Sequence, residues 1–362
     1  MNIIEKKITV IPGDGIGPEV TTAAIAVMQA AASLTGMKCI CSTHLAGGAA
    51  IDAHGVPLPE GTIAAARNAD SVLLGAVGGP KWDNVAPEIR PEKAILGLRK
   101  TLGLFANMRP VKVTAAMAPY SPLKPERVTG VDILILRELN GGIYYGTRCE
   151  SEQVNGVEQA WDTELYSVPE VDRIVRMAFQ AAQNRRGKVT SVDKANVLAS
   201  SRLWRRTAAG IATEYPTVQL EHMYVDNCAM QLVMAPKTLD VVVTGNLFGD
   251  ILTDEAAVIT GSIGMLPSAS LGDGTGLYEP IHGSAPDITG KGIANPLGTI
   301  LSVALMFRHS LANETAARMI ESAVEKVLSA GYRTADMMQE GLTLCSTTEM
   351  GHHVEQEILK GA

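Results

Sequence analysis

Short runs of hydrophobic residues alternate with longer, alanine-rich stretches in the first third of the chain. The runs at 8–11, 38–42 and 71–77 predict strands, and the stretches at 18–36 and 60–69 predict helices between them. The strand runs are too continuous for a sheet with one polar face, so both faces must be covered by helices. This pattern is typical of a mostly parallel sheet.

The same alternation continues through the middle of the chain and then gives way to helices. Further strands are predicted at 131–136, 188–192, 219–225 and 240–244, with helices at 169–185, 199–213 and 227–235, and three helices follow at 296–310, 313–331 and 347–360. The predicted fold class is therefore α/β with a helical C-terminal region.

One segment, at about 148–166, departs from this alternation and predicts a β-hairpin arm. It is polar and contains Asn155-Gly156 between two strand-like runs, which is a strong sequence signal for a tight hairpin turn. An isolated two-stranded hairpin is marginally stable in water, so we expect the arm to pack on something, such as a second subunit. A hairpin exposed on the surface fits the spacing equally well.

Length and composition narrow the classes of protein. The 362 residues are enough for two domains, and 46% hydrophobic residues indicate a folded protein. A net charge of −7 without a basic block excludes a typical nucleic-acid binder. No apolar stretch approaches the about 20 residues of a membrane span, and no secretory signal is visible. Five cysteines without a CxxC pair predict reduced thiols in a cytoplasmic protein.

The glycine-rich segment 12–19 follows the first predicted strand and opens a helix, where a phosphate-binding loop could lie. It does not fit the GxGxxG dinucleotide fingerprint, because Pro18 occupies the position of the last glycine. No Walker motif is present either, since neither Gly-Lys pair is followed by Ser or Thr. The segment by itself is a tight turn between strand and helix, and the chain is not a standard Rossmann protein.

Paired carboxylates form the most specific candidate site. Asp250 and Asp254 are four residues apart on a predicted helix, so both project from one face, and Asp226 follows another predicted strand. Three carboxylates suit Mg²⁺ or Mn²⁺. A solvated acidic helix face remains the alternative for the pair alone.

Three arginines in apolar or strand contexts form a second candidate set: Arg99, Arg109 and Arg137. A guanidinium matches a carboxylate bidentately, so an anionic substrate could be their partner, and internal salt bridges are the alternative. Tyr144 and Lys194 add a phenol and an amine, each of which could be structural.

A last region, 272–296, is rich in glycine and predicts either a nucleotide-binding loop or an irregular connection.

Taken together, these segments resemble the β-decarboxylating hydroxyacid dehydrogenases, the family of isocitrate and 3-isopropylmalate dehydrogenases. The resemblance covers essentially the whole chain, and its most specific parts are Pro12–Glu19, Leu104–Pro110, Gly141–Gly146 and Asn246–Met265. It implies a non-Rossmann fold of two domains with a protruding hairpin arm. The first would be a discontinuous cofactor-binding domain, 1–104 with 261–362. The second, 105–260, would carry substrate, metal and dimer contacts.

The resemblance also implies a role for each candidate residue in a homodimer whose active sites are shared between subunits. Arg99, Arg109 and Arg137 would bind the substrate carboxylates, and Tyr144 would protonate an enolate. Asp250 and Asp254 would hold Mg²⁺ or Mn²⁺ together with Asp226 of the partner subunit. Asp226 would also contact the substrate. Lys194 of the partner subunit would take the hydroxyl proton. NAD would lie along the loop at His282, Gly283, Ser284, Ala285, Asp287 and Asn295.

Side chains near these positions select a substrate and a cofactor within the family. Ile95 and Leu96, with Glu92 and Val197 nearby, suit an isopropyl group, and the Asp287 carboxylate would accept from a ribose hydroxyl and repel a 2′-phosphate. The expected activity is NAD-dependent oxidative decarboxylation of (2R,3S)-3-isopropylmalate to 4-methyl-2-oxopentanoate and CO₂, in leucine biosynthesis. Oxidation of malate or tartrate is the alternative within the family. Outside it, a Mg²⁺-dependent phosphoryl-transfer enzyme and a non-catalytic nucleotide-binding module are weaker alternatives.

Overall fold

The computed structural model describes residues 3–361, which divide into two compact units. The first unit contains 3–104, 114–121 and 260–361, and the second contains 105–113 and 122–259. Each unit has its own set of strands covered by helices, as the alternating sequence pattern predicts. The predicted α/β fold class is confirmed.

The strands follow one another along the chain with helices between most of them. The strands are β1 (Ile4–Gly13), β2 (Met37–Thr43), β3 (Ser71–Ala76), β4 (Leu104–Val113), β5 (Val131–Glu138), β6 (Arg148–Val154), β7 (Val157–Asp162), β8 (Lys188–Asp193), β9 (Gln219–Tyr224), β10 (Val241–Thr244), β11 (Pro267–Gly272), β12 (Gly276–Pro280), β13 (Tyr332–Arg333) and β14 (Thr343–Leu344).

The α-helices include all those that the sequence pattern predicts, with ends shifted by a few residues. The helices are α1 (Gly17–Leu34), α2 (Gly48–His54), α3 (Glu60–Arg67), α4 (Lys93–Thr101), α5 (Pro125–Val128), α6 (Val168–Gln183), α7 (Ala199–Ala212), α8 (Val225–Met234), α9 (Asn246–Ile259), α10 (Leu297–His309), α11 (Glu314–Ser329) and α12 (Thr347–Lys360). No helix among the described residues is both long and apolar enough to cross a membrane.

The first unit is built on strands in the order β2-β1-β3-β12-β11. All neighbours in this set are parallel except β11 and β12, which are antiparallel. Every residue of β3 is buried, and α10 is buried along most of its length. The alternative of an irregular connection over 272–296 is wrong for part of that region. Gly276–Pro280 forms a strand that pairs with Pro267–Ser270.

The second unit is built on strands in the order β4-β5-β10-β8-β9. Only β4 runs antiparallel to its neighbour, so the sheet is mostly parallel, as predicted. Helix α6 begins with a capping box in which Ser167 and Glu170 exchange side-chain and backbone hydrogen bonds. Its buried face includes Val171, Ile174 and Val175, whose spacing is helical.

The hairpin arm is present in the second unit as β6 and β7, which are antiparallel. Asn155 and Gly156 both have positive φ angles, 53° and 76°, as the two-residue turn requires. Every residue of the two strands is exposed except Cys149, which is half-buried. The predicted hairpin is confirmed.

Candidate active-site residues

In the second unit, strand pairing and a short connection bring the predicted carboxylates to the predicted arginines. Thr244, the last residue of β10, lies opposite Arg137 on β5, and α9 begins two residues later at Asn246. The first turns of α9 therefore pass over Arg137. Gly249 makes this close approach possible, because a Cβ there would lie 2.6 Å from Cγ of Arg137.

Two arginines and two carboxylates meet at this position. Arg137 pairs with Asp250, while Nη1 of Arg109 donates to Oγ1 of Thr253 at 2.6 Å and lies 3.4 Å from Oδ1 of Asp254. Both arginines are almost completely buried, whereas the Asp254 side chain is 67% exposed. The carboxylates therefore lie at the open side of a buried cationic cluster.

Tyr144 joins the same cluster from the loop after β5. Its hydroxyl donates to Oδ2 of Asp250 at 2.7 Å, and its ring lies 5.8 Å from the Arg137 guanidinium. Burial raises the pKa of Tyr144, and the hydrogen bond to the Asp250 carboxylate raises it further. The phenol is therefore protonated at neutral pH and can donate a proton.

Sequence reasoning missed the buried amides that support the arginines. Oδ1 of Asn107 accepts from Nε of Arg109 at 2.6 Å, and Oδ1 of Asn246 accepts from Nε and Nη2 of Arg137 at 3.0 and 2.9 Å. Both asparagines stand inside motifs that carried the family resemblance. Only the fold shows what they contact.

A buried tyrosine and glutamate, which sequence reasoning also missed, lie beneath this cluster. The Tyr166 hydroxyl accepts from the backbone N–H of Asn246 at 2.7 Å, at the start of α9. Glu138 accepts from the backbone N–H groups of Asn140 and Gly141, and burial raises its pKa. These contacts fix the backbone on which Asn246 and Arg137 stand.

Lys194 and Asp226 form a separate pair in the second unit. Nζ of Lys194 donates to Oδ1 of Asp226 at 2.8 Å, and this contact holds the pKa of Asp226 below its usual range. Val197, in the turn after Lys194, is 62% exposed. In residues 3–361 no three His, Cys, Asp or Glu side chains are placed to hold a metal ion, so Asp226 does not complete the Asp250–Asp254 pair within one chain.

The chemistry of Asp250 and Asp254 fits a hard divalent cation. Both are carboxylates on one face of α9, one helical turn apart, and both are accessible, with side chains 36% and 67% exposed. Mg²⁺ is usually bound through one or two protein carboxylates, with water and substrate oxygens as the other ligands. These two residues could therefore supply the protein side of such a site.

In the first unit, α4 carries the remaining predicted substrate residues on one face. Glu92 precedes the helix, Ile95 and Leu96 follow one turn later, and Arg99 one turn beyond. Glu92 and Leu96 are exposed and Ile95 is half-buried. Nη2 of Arg99 donates to Oε1 of Glu279 at 3.1 Å, and this partner was not predicted from the sequence.

The predicted cofactor loop, 282–295, contacts the glycine-rich turn after β1. The Ile16 N–H donates to the Ser284 carbonyl at 2.9 Å, and a Cβ on Gly15 would lie 2.0 Å from that oxygen. Ala285 has a φ of 41°, which is uncommon for a residue with a side chain. The two glycine-rich segments of the sequence, 12–19 and the cofactor loop, therefore pack against each other.

Polar groups of this loop include one without a protein partner. Nε2 of His282 is buried with no hydrogen-bond partner in the part of the chain that the structure describes, and burial lowers the pKa of His282. A neutral imidazole nitrogen of this kind suits a polar ligand atom. Asn295 is fixed by Leu297 and Asp336, while Asp287 is exposed. The loop could therefore accommodate a nucleotide.

Comparisons with known proteins extend over nearly the whole chain. A model of the isocitrate/isopropylmalate dehydrogenase family matches residues 7–354. The chain is 56% identical over 356 residues to the 3-isopropylmalate dehydrogenase of Clostridium acetobutylicum, covering 98% of this chain and 99% of that protein. It is 56% identical over 353 residues to the enzyme of the same name from Pseudomonas putida, covering 97% and 98%.

Solved structures show the same relationship in the fold. The isocitrate dehydrogenase of Methylococcus capsulatus is 35% identical, with a TM-score of 0.86 over 98% of this chain and 99% of that chain. A beta-decarboxylating dehydrogenase from Thermococcus kodakarensis, in its apo form, is 36% identical, with a TM-score of 0.82 over 98% and 96%. The sequence and fold comparisons thus agree over nearly the whole chain.

Proposed function

The chain belongs to the isocitrate/isopropylmalate dehydrogenase family, and from this premise we propose that it catalyses the oxidative decarboxylation of 3-isopropylmalate in leucine biosynthesis. The observation that carries the proposal is 56% identity over almost the full length of relatives named 3-isopropylmalate dehydrogenase. The product is 4-methyl-2-oxopentanoate, formed with loss of CO₂. We place the enzyme in the cytoplasm, because its five cysteines are all free thiols.

We assign substrate binding to the three arginines and the face of α4. Arg109 and Arg137 are buried and positively charged, which suits the two carboxylates of a malate, and Arg99 adds a third guanidinium. Ile95, Leu96 and Val197 offer apolar surface for the isopropyl group. A substrate with a further carboxylate at that position would leave a charge without a partner, which costs several kcal/mol.

We propose that NAD and a Mg²⁺ or Mn²⁺ ion complete the site. When bound, NAD would supply the hydride acceptor for C2, and the cation would supply positive charge at the C2 oxygen. Asp250 and Asp254, with Asp226 of the partner subunit, would hold the cation. The loop at His282, Gly283, Ser284, Ala285, Asp287 and Asn295 would hold NAD. The first unit would then be the cofactor domain and the second the substrate domain.

The proton transfers fall to two side chains. Lys194 of the partner subunit takes the proton of the C2 hydroxyl as a general base. The oxidised product is a β-keto acid, so it loses CO₂ and leaves an enolate. Tyr144, which is protonated at neutral pH, then donates its proton to the enolate carbon. Asp250 accepts a hydrogen bond from that phenol and so orients it.

We propose a homodimer, because the second unit exposes an apolar helical surface. Met230, Val233 and Met234 on α8 and Ile251 and Val258 on α9 are each at least 42% exposed, at helical spacing. Exposed apolar surface of this kind marks a protein interface. A second copy of the chain is the partner that also brings Lys194 and Asp226 to the cluster on α9, and the hairpin arm could clasp it.

The experiment that tests this function measures kcat/KM for NADH formation with 3-isopropylmalate, isocitrate, malate and tartrate, each with Mg²⁺. We expect 3-isopropylmalate to exceed isocitrate by roughly a thousandfold or more, because an unpaired buried carboxylate costs several kcal/mol. Equal efficiency on isocitrate would contradict the assignment of Ile95, Leu96 and Val197 to the isopropyl group. Preference for malate or tartrate would show that the enzyme is a malate or tartrate dehydrogenase of the same family.

A further inference from the structure

The two buried arginines of the proposed substrate site are supported by neutral side chains. Nε of Arg109 binds the amide oxygen of Asn107, and Nε of Arg137 binds that of Asn246. Asn107 is 0% exposed and Asn246 is 2% exposed, so both contacts are at the inner ends of the guanidinium groups. The same arrangement thus occurs twice, on different strands and with asparagines from different elements.

Two other arginines of the same unit, Arg185 and Arg205, are supported differently. Nε of Arg185 donates to the buried carboxylate of Asp240 at 2.9 Å, and Nε of Arg205 donates to the buried carboxylate of Asp193 at 2.9 Å. Asp240 and Asp193 are each 1% exposed. Arg185 and Arg205 therefore use a charged acceptor at the atom where Arg109 and Arg137 use an amide.

The difference matters because a carboxylate and an amide hold a guanidinium with similar geometry but different charge. Both present an oxygen that accepts from Nε, yet only the carboxylate neutralises the cation. At a buried position the added negative charge would be screened little by solvent. An amide therefore orients the arginine without adding a negative charge beside it.

We propose that Asn107 and Asn246 are positioning residues for substrate binding: they fix Arg109 and Arg137 through neutral acceptors, which add no negative charge beside the substrate carboxylates. This inference deepens the proposed function and rests on its assignment of the arginines. Asp250 and Asp254 already pair with these arginines from the open side, at Nη1, so a carboxylate at the inner end would add further negative charge.

Asn246 is itself held in place at three points. Its backbone N–H donates to the Tyr166 hydroxyl at 2.7 Å, and its Nδ2 donates to the Gly141 carbonyl at 3.3 Å. The third contact is with Arg137. Asn246→Asp would therefore remove the Nδ2 donor to Gly141 as well as add a charge, whereas Asn246→Ala would remove the same donor without adding a charge.

The test is Asn246→Asp, which keeps the side-chain shape and the acceptor oxygen, adds a charge, and replaces the Nδ2 donor to Gly141 by an oxygen. We expect the KM for 3-isopropylmalate to rise about tenfold to a hundredfold, with a smaller change in kcat and a KM for NAD within about twofold of wild type. Asn246→Ala, which removes the acceptor without adding charge, should raise the substrate KM less than Asn246→Asp does. Asn107→Asp should repeat the effect through Arg109.

The matched control is Asp240→Asn, the opposite exchange at the Arg185 pair. It should lower the thermal unfolding temperature and leave the KM for substrate unchanged. A substrate KM in Asn246→Asp equal to wild type would overturn the proposal, as would a larger effect of Asn246→Ala. If Asn246→Asp does not fold, Asn107→Asp decides; if that also fails to fold, Asn246→Ala decides, since an unchanged substrate KM would again contradict the inference.

These measurements separate the inference from the proposed function. Every KM is compared with that of the wild-type protein on the diacid that the wild type oxidises. If the wild type prefers malate or tartrate to 3-isopropylmalate, the proposed function fails, and the same variants still test the neutral acceptors on that other diacid.

Discussion

The Tyr144 hydroxyl donates a hydrogen bond to Asp250 at 2.7 Å, while the other oxygen of that carboxylate accepts from Arg137. A proposed proton donor and a proposed cation ligand are thus in direct contact. Any change at Asp250 should alter the proton affinity of Tyr144. This relationship can be measured without turnover.

We predict that Asp250→Asn lowers the pKa of Tyr144. Burial raises this pKa above its usual value and the Asp250 carboxylate raises it further, so removal of the Asp250 charge removes part of the shift. The phenol would then ionise at lower pH than in the wild type. Ultraviolet difference absorbance across an alkaline titration measures this, and Tyr144→Phe identifies the transition that belongs to Tyr144. An unchanged transition would show that Asp250 does not control it.

A second prediction concerns the close packing of α9 on Arg137. Gly249→Ala should destabilise the protein by about 1–3 kcal/mol, because its Cβ would overlap Cγ of Arg137. The control is Gly210→Ala in α7, where nothing lies within 4 Å of the added Cβ. That change should stabilise the helix by up to about 1 kcal/mol. Denaturant unfolding of both variants tests the pair, and equal shifts of the same sign would contradict it.

The sequence predicted the α/β class, nearly every long helix, and the hairpin, since each depends on local pattern. The helix after the strand 240–244 was also predicted, and its four-residue spacing places Asp250 and Asp254 on one face. The strand Gly276–Pro280 was not, since the surrounding glycines resemble an irregular loop and its pairing with Pro267–Ser270 is a tertiary contact.

The supporting residues of the candidate site could not be predicted for a similar reason. Asn246 contacts Arg137, which is 109 residues away, and Glu279 contacts Arg99, 180 residues away. Nothing in local composition distinguishes these side chains from ordinary polar residues. The family resemblance predicted the site residues themselves. The order of the strands in the fold determines which side chains support them.

We predict a preference for NAD over NADP that depends on Asp287. This side chain is exposed on the loop that we assign to the cofactor, and its charge would repel a 2′-phosphate. The double variant Asp287→Lys with Ile288→Tyr should reduce the ratio of kcat/KM with NAD to kcat/KM with NADP. Equal use of both cofactors by the wild type would show that Asp287 has no such role.

Sharing of the site between subunits predicts complementation. Lys194→Ala and Asp250→Ala should each be inactive, but in a mixed dimer one of the two pockets has both residues intact. Random pairing makes about half the dimers mixed, so activity should recover to roughly one quarter of the wild-type value.

The control is to confirm subunit exchange with two affinity tags before the assay. If exchange is complete and activity stays at the level of the separate variants, each pocket uses residues of one chain only. Recovery well above one quarter would also disagree with a two-fold dimer that contains a single repaired pocket.

The most direct test of the whole account is the product balance of a single reaction. The protein is incubated with 3-isopropylmalate, NAD and Mg²⁺, and NADH, CO₂ and 4-methyl-2-oxopentanoate are quantified together, with a parallel sample in chelator. We predict the three products in equal amounts, and none in chelator, because Asp250 and Asp254 are assigned to a required cation. NADH without an equal amount of CO₂, or full activity in metal-free buffer, would contradict the account.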